Sequence, residues 1–171
     1  NEAERPGTFD VEAARRLGIP EGPIYGRLKA GEVVTLDDGR VVSGHEFIGA
    51  PQPGRRLLIA GDNDRPRVLL KHLKGVHLLV HEATHTDKMV AAARGEGGRH
   101  STARQVAQAA DSTGVPNLVL THFSARFTDR DGEVGIDDLR QEAAGAYGGR
   151  LFMAEDHAQF ELSREGKLRR R

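Results

Sequence analysis

From residue 55 onward, short leucine-rich and β-branched runs alternate with segments whose apolar residues recur every three or four positions. Strands alternating with helices give that pattern, the signature of an α/β layer architecture. The runs predict strands at 56–60, 76–80 and 117–120, and two more at 150–154 and 158–162. Helices are predicted at about 64–73, 86–94, 101–113 and 136–145. The third is the best marked: Ser101 or Thr102 caps its start, Gln105 completes a capping box, and Gly114 with Pro116 ends it. Before residue 55 the texture differs. Residues 10–17 predict a short helix capped by Asp10, with Val11, Ala14 and Leu17 on one face and Gly18 at its end. Residues 18–26 hold two prolines and three glycines, which predicts a loop of fixed shape without regular structure. Residues 33–42 predict a hairpin turning at Asp37, Asp38 and Gly39.

Composition narrows the field. A length of 171 residues predicts one domain over 1–171. With 25 basic and 25 acidic side chains there is no bulk attraction to phosphate, although local basic patches remain. Six phenylalanines and two tyrosines supply few platforms for stacking bases. Without cysteine there is no disulfide, no thiolate zinc site and no thiol nucleophile. Any metal must then be held by the eight histidines and by carboxylates, and a reducing, cytoplasmic compartment is expected. Apolar runs such as 57–60 and 78–80 fall far short of the roughly 20 residues that span a bilayer. The chain begins at Asn1 with no charged-then-apolar leader, which reads as a processed or truncated product lacking a signal peptide.

Each of the first three strands of the alternating region runs into polar residues: Asp62, then His81 and Glu82, then Thr121 and His122. Neighbouring strand ends are where α/β enzymes place their chemistry. His81, Glu82 and His85 also satisfy H-E-x-x-H, which on a helix would put two imidazoles on one zinc ion with the glutamate as general base. The β-branched run before His81 argues for a strand end instead, so a metalloprotease is the weaker reading.

Five segments, in order, resemble the ribonuclease Z branch of the metallo-β-lactamase superfamily. They are the Gly-Pro loop at 18–31, the Gly-Asp-Asn-Asp-Arg-Pro run at 61–66, His-Glu-Ala-Thr at 81–84, His-Ser-Thr at 100–102, and Thr-His-Phe-Ser at 121–124 followed by Arg126. The resemblance covers about residues 6–160. It implies a layered metallo-β-lactamase-like αββα sandwich, of which this chain supplies the C-terminal half plus a projecting substrate-binding arm over 10–35. It further implies two zinc ions, with manganese as the alternative, and removal of 3′ trailers from precursor tRNA. On this reading Asp62 bridges the metals and His122 is a terminal ligand. One carboxylate can serve two cations roughly 3.5–4 Å apart. The extra residue in the 61–66 run leaves Asp64 as an alternative bridge. Glu82 and His100 form the proton-handling pair, with His100 protonating the leaving ribose oxygen. Arg126 holds phosphate, and Gly22, Pro23, Arg27 and Lys29, with Arg15 and Arg16 near them, place the arm on the tRNA. The basic stretch 167–171 adds phosphate contacts or is a frayed tail. His45, His72, His77, His85 and His157 match no ligand position and read as structural or exposed.

The family's H-x-H-x-D-H motif is absent, since no two histidines here are separated by a single residue, and so is a further histidine expected before the arm. A di-zinc centre needs about seven ligands and the resemblance supplies two. The chain alone is therefore expected to be inactive, as the C-terminal half of a hydrolase completed by an N-terminal half or a complementary chain; a homodimer would not supply the missing motif. The alternatives are another phosphodiesterase or hydrolase on the same scaffold, or a non-catalytic tRNA-binding remnant.

Overall fold

The computed structural model describes residues 1–93, 99–127 and 134–171. The backbone forms two compact units, Glu2–Gly54 and Arg55–Arg171 with Asn1. The physical reason is that each unit closes over its own apolar cluster.

In the smaller unit, helix α1 (Val11–Arg16) starts as expected, with the Asp10 carboxylate accepting the Ala13 N–H at 2.8 Å. The Gly-Pro segment departs from expectation, because Pro23–Lys29 is a helix, α2. Pro23 occupies the first helical turn, where its missing N–H breaks no bond and its fixed φ suits the helix. The cost of Gly26 in the interior, about 1 kcal/mol, is offset by burying Tyr25 and Leu28. Strands β1 (Val33–Thr35) and β2 (Val41–Ser43) pair antiparallel with Val34 opposite Val42. Their turn uses Gly39 at φ 82°, a conformation costly to residues with a Cβ. Ala14, Tyr25, Leu28 and Val34 thus pack with Phe47 and Phe9 in one core, so the 10–35 segment is part of a folded unit.

The larger unit is built on a parallel sheet of four strands in the order β3 (Leu57–Ile59), β4 (Leu78–Glu82), β5 (Asn117–Thr121) and β6 (Arg150–Met153). The helix expected at 64–73 is a 3₁₀ turn at Pro66–Leu69 followed by one α turn, α3 (Leu70–Leu73). Proline pushes its predecessor out of the helical region, and Arg65 sits at φ −135°, ψ 74°, so no helix can start at 64. Helix α4 spans Asp87–Ala92; residue 94 of the predicted 86–94 helix lies outside the described residues. Helix α5 (Ala103–Ser112) is capped by Thr102, with the Gln105 box formed, and α6 spans Ile136–Ala144.

Alternation along the strands sends side chains to two faces. Leu79, Leu118, Leu120 and Met153 join Val106, Ala107, Ala110, Leu139 and Ala143 in the main core. Leu78 and Val119 face the opposite side, with Val80 and Phe152 packed beside them, and meet a hairpin of β7 (Phe160–Leu162) and β8 (Leu168–Arg170). The terminal basic stretch is therefore largely strand, with Leu168 buried. Asn117 ties it down: its amide nitrogen donates to His77 O at 2.6 Å and Gly166 O at 2.7 Å, and its oxygen accepts the Leu168 N–H at 3.0 Å. The strand candidates at 150–154 and 158–162 do not pair with each other. On the edge strand, Leu57 and Ile59 share the hairpin's face by register with Leu78 and Val80, and Ile59 is 74% exposed. Among the described residues no helix is long and apolar enough to cross a membrane.

Candidate metal centre

Because β3, β4 and β5 are parallel neighbours, their C-terminal ends lie together, and the residues that follow them meet there. Gly61, at φ 61°, turns the chain out of β3 into the loop that presents Asp62. Asp62, His100 and His122 each offer a ligand atom, and these atoms lie within 4.8 Å of one another. His122 Nε2 is 3.7 Å from Asp62 Oδ1. A carboxylate and two imidazoles suit zinc or manganese, so the donor set present fits a divalent cation. Asp64 does not join this group: it pairs with Arg65 at 3.4 Å and lines a separate cavity of about 580 Å³ with Gln105 and Gln108.

Glu82, 1% exposed, lies beneath the cluster. Its Oε2 accepts the Thr84 N–H at 3.0 Å and the Thr84 hydroxyl at 2.7 Å; its Oε1 accepts the Ser101 N–H at 2.7 Å. His100 Nδ1 lies 3.4 Å from Glu82 Oε1, an ion-pair distance, although that buried nitrogen makes no hydrogen bond of good geometry among the described residues. The Thr84 oxygen also lies 2.8 Å from His122 O and 2.9 Å from His122 Nδ1. A hydroxyl has one proton, and here it faces two oxygens, so the imidazole supplies the third bond by donating Nδ1–H to Thr84. Nε2 of His122 then carries a free lone pair toward Asp62, the tautomer a metal ligand needs. His122 holds φ 58°, a left-handed conformation uncommon outside glycine, with its carbonyl 2.8 Å from the Thr84 oxygen.

His81 and His85 are not one turn apart on a helix: His81 ends a strand, and His85 lies beyond it, bridged to Thr102. His81 is wholly buried, which lowers its pKa despite the Glu82 carbonyl. His85, which the sequence reading left without a role, lies edge-on to His100 at 6.1 Å between ring centroids, and His100 lies 5.1 Å from His122. Burial, His100 and then Arg126 lower the His85 pKa, with Glu82 opposing. Arg126 itself is exposed, its N–H donating to Ser124 Oγ at 3.2 Å. Asn63, Thr84 and Ser101 were also missed as contributors, and the one available signal was a pair of adjacent cap-type residues, Ser101 and Thr102, of which only Thr102 caps the helix. Three of the four basic residues of the 10–35 arm are engaged locally. Arg15 pairs with Glu12 and Glu21, Arg27 with Glu32 at 2.8 Å, and Lys29 sits 5.5 Å above the Phe9 ring. Gly22 caps α2 at φ 148° beside Pro23.

No family model matches the chain. Among curated proteins it is 46% identical to ribonuclease Z of Brevibacillus brevis over 166 residues, 96% of this chain and 51% of that protein. It is 42% identical to ribonuclease Z of Pseudomonas putida KT2440 over 161 residues, 94% of this chain and 50% of that one. The likeness to ribonuclease Z of Limosilactobacillus fermentum is 50% over 129 residues, 75% of this chain and 41% of the relative. Among solved structures, the metallo-β-lactamase fold protein YhfI from Bacillus subtilis superposes with a TM-score of 0.49 at 17% identity, over 67% of this chain and 42% of YhfI. The chain spans about half the length of the curated relatives it matches, and the match falls on their C-terminal half. With those identities carried through nearly all of its residues, the chain belongs to the ribonuclease Z family.

Proposed function

We propose that this chain supplies one wall of a metal-dependent endoribonuclease that removes 3′ trailers from precursor tRNA. Catalysis then requires an N-terminal half, or a complementary chain, bearing the H-x-H-x-D-H ligands. The observation that carries the reading is the convergence of Asp62, His100 and His122 over the buried Glu82. Asp62 and His122 would hold divalent cations, zinc foremost and manganese as the alternative. Bound there, the ions would neutralise the scissile phosphate and acidify the attacking water.

The chain's own groups divide the remaining work. Glu82, fixed by three hydrogen bonds, lies 3.4 Å from His100 Nδ1 and orients the ring. The opposite ring edge of His100 then delivers its proton to the departing ribose oxygen. Arg126 holds a phosphate oxygen of the RNA, and the smaller unit, with Gly22, Pro23, Arg27 and Lys29 on α2, carries the tRNA by shape and backbone contact.

The exposed Leu57 and Ile59 favour completion by a second layer, since one face of a half-sandwich must be covered by the other half's sheet. Joined to an N-terminal half, the chain is expected to cleave precursor tRNA at the 3′ trailer. Asp62→Ala should abolish cleavage together with zinc, whereas His100→Ala should keep zinc and lose cleavage. Cleavage of a simple phosphodiester with precursor tRNA left intact would favour a different hydrolase on this scaffold. tRNA binding without cleavage, indifferent to zinc, would favour the non-catalytic remnant.

A further inference from the structure

Asp62 is exposed, with its Oδ1 3.7 Å from His122 Nε2, and the backbone of its loop helps to set its position. In that loop the residue after Asp62 makes three hydrogen bonds. Asn63 Oδ1 accepts the Arg65 N–H at 3.0 Å, which closes a local turn and fixes which end of the amide faces inward. The Asn63 amide nitrogen lies 3.2 Å from His81 Nε2. The carbonyl of Asn63 accepts the Ser101 hydroxyl at 2.5 Å.

The His81 end of this arrangement is equally determined. Its Nδ1 lies 2.6 Å from the Glu82 carbonyl, an acceptor only, so Nδ1 carries the ring proton and Nε2 is a bare acceptor. Asn63 therefore donates and His81 accepts, with no alternative assignment that satisfies both partners. Ser101 donates its backbone N–H to Glu82 Oε1 while its hydroxyl reaches Asn63. Loop 62–65, the end of β4 and the segment leading into α5 are thus laced together.

We propose that Asn63 and His81 form a neutral strut that positions Asp62 for the metal without touching metal or substrate. Ser101 couples the strut to the Glu82–His100 pair. The H-E-x-x-H histidine that the metal centre leaves unused is on this account a positioning residue. The proposal rests on Asp62 being a metal carboxylate.

The test uses the 171-residue chain. Two-bond ¹H–¹⁵N spectra of the zinc-free protein should show His81 as the Nδ1–H tautomer, and Asn63→Leu, of matched shape, should move its Nε2 resonance. Zinc titration followed by calorimetry should show affinity falling at least tenfold in Asn63→Leu and in His81→Phe. The double variant should lose no more than the worse single, and circular dichroism should stay unchanged. Asn63→Gln, which keeps the donor, should recover part of the loss. An Nε2–H tautomer of His81, or zinc affinity within twofold of the parent in Asn63→Leu, overturns the strut. A parent chain that takes up no added zinc overturns instead the metal reading beneath it.

Discussion

The Thr84 hydroxyl is the smallest group on which the site depends, because one oxygen orders Glu82, the His122 ring and the His122 backbone together. Thr84→Val keeps the shape but removes the acceptor of the His122 Nδ1–H and the hydroxyl proton shared by Glu82 and the His122 carbonyl, and should destabilise the fold by about 1–3 kcal/mol in urea unfolding. Thr84→Ser, retaining the hydroxyl, should cost clearly less. His81 gives the pH dependence. Burial lowers its pKa below the ordinary 6.5, so between those two values the unfolded chain binds more protons than the folded one. The stability due to its neutral form is present above about pH 6.5 and is lost as pH falls toward the folded value. Unfolding free energies measured with chelator should decline below that pH, and His81→Phe should flatten the decline. Asp62 and His122 were legible in the sequence because each follows a readable strand. Asn63, Thr84 and the role of His81 were not, since their partners, at residues 81, 122 and 63, are brought near only by the parallel sheet.

At the scale of elements, the sequence reading succeeded where capping chemistry and hydrophobic period agreed, as in α5, whose box of Thr102 and Gln105 is formed. Thr102→Ala should cost about 1 kcal/mol by the same urea assay. It failed where composition outvoted position. The Gly-Pro segment hid α2, because proline is harmless in a first turn and a buried Tyr25–Leu28 face outweighs one glycine. The basic end of the chain hid β8, whose partners are Phe160–Leu162 and the distant Asn117. Removing residues 163–171 should therefore expose the apolar face around Val119 and Phe152 and lower the melting temperature sharply, which a frayed tail would not do. Asn117→Ala should reproduce much of that loss, since three buried backbone groups lose their partner, each worth about 1–3 kcal/mol.

For the whole molecule, the layered α/β architecture was readable from the alternation of periods, whereas the division at residue 54 was not, because length and composition do not reveal that two cores close separately. The larger unit brings Asp62, His100 and His122 together at the ends of three parallel strands and leaves Ile59 exposed on the sheet's edge strand. On the proposed reading, Asp62 and His122 are metal ligands and the remaining ligands come from an N-terminal half or a complementary chain. The most direct test is zinc binding by the purified 171-residue chain, in parallel with Asp62→Ala, His122→Ala and His85→Ala. An incomplete centre predicts little zinc as isolated and weak uptake of one added ion, abolished by Asp62→Ala or His122→Ala and unaffected by His85→Ala. One tightly held zinc per chain, indifferent to Asp62→Ala and lost with His85, would contradict it.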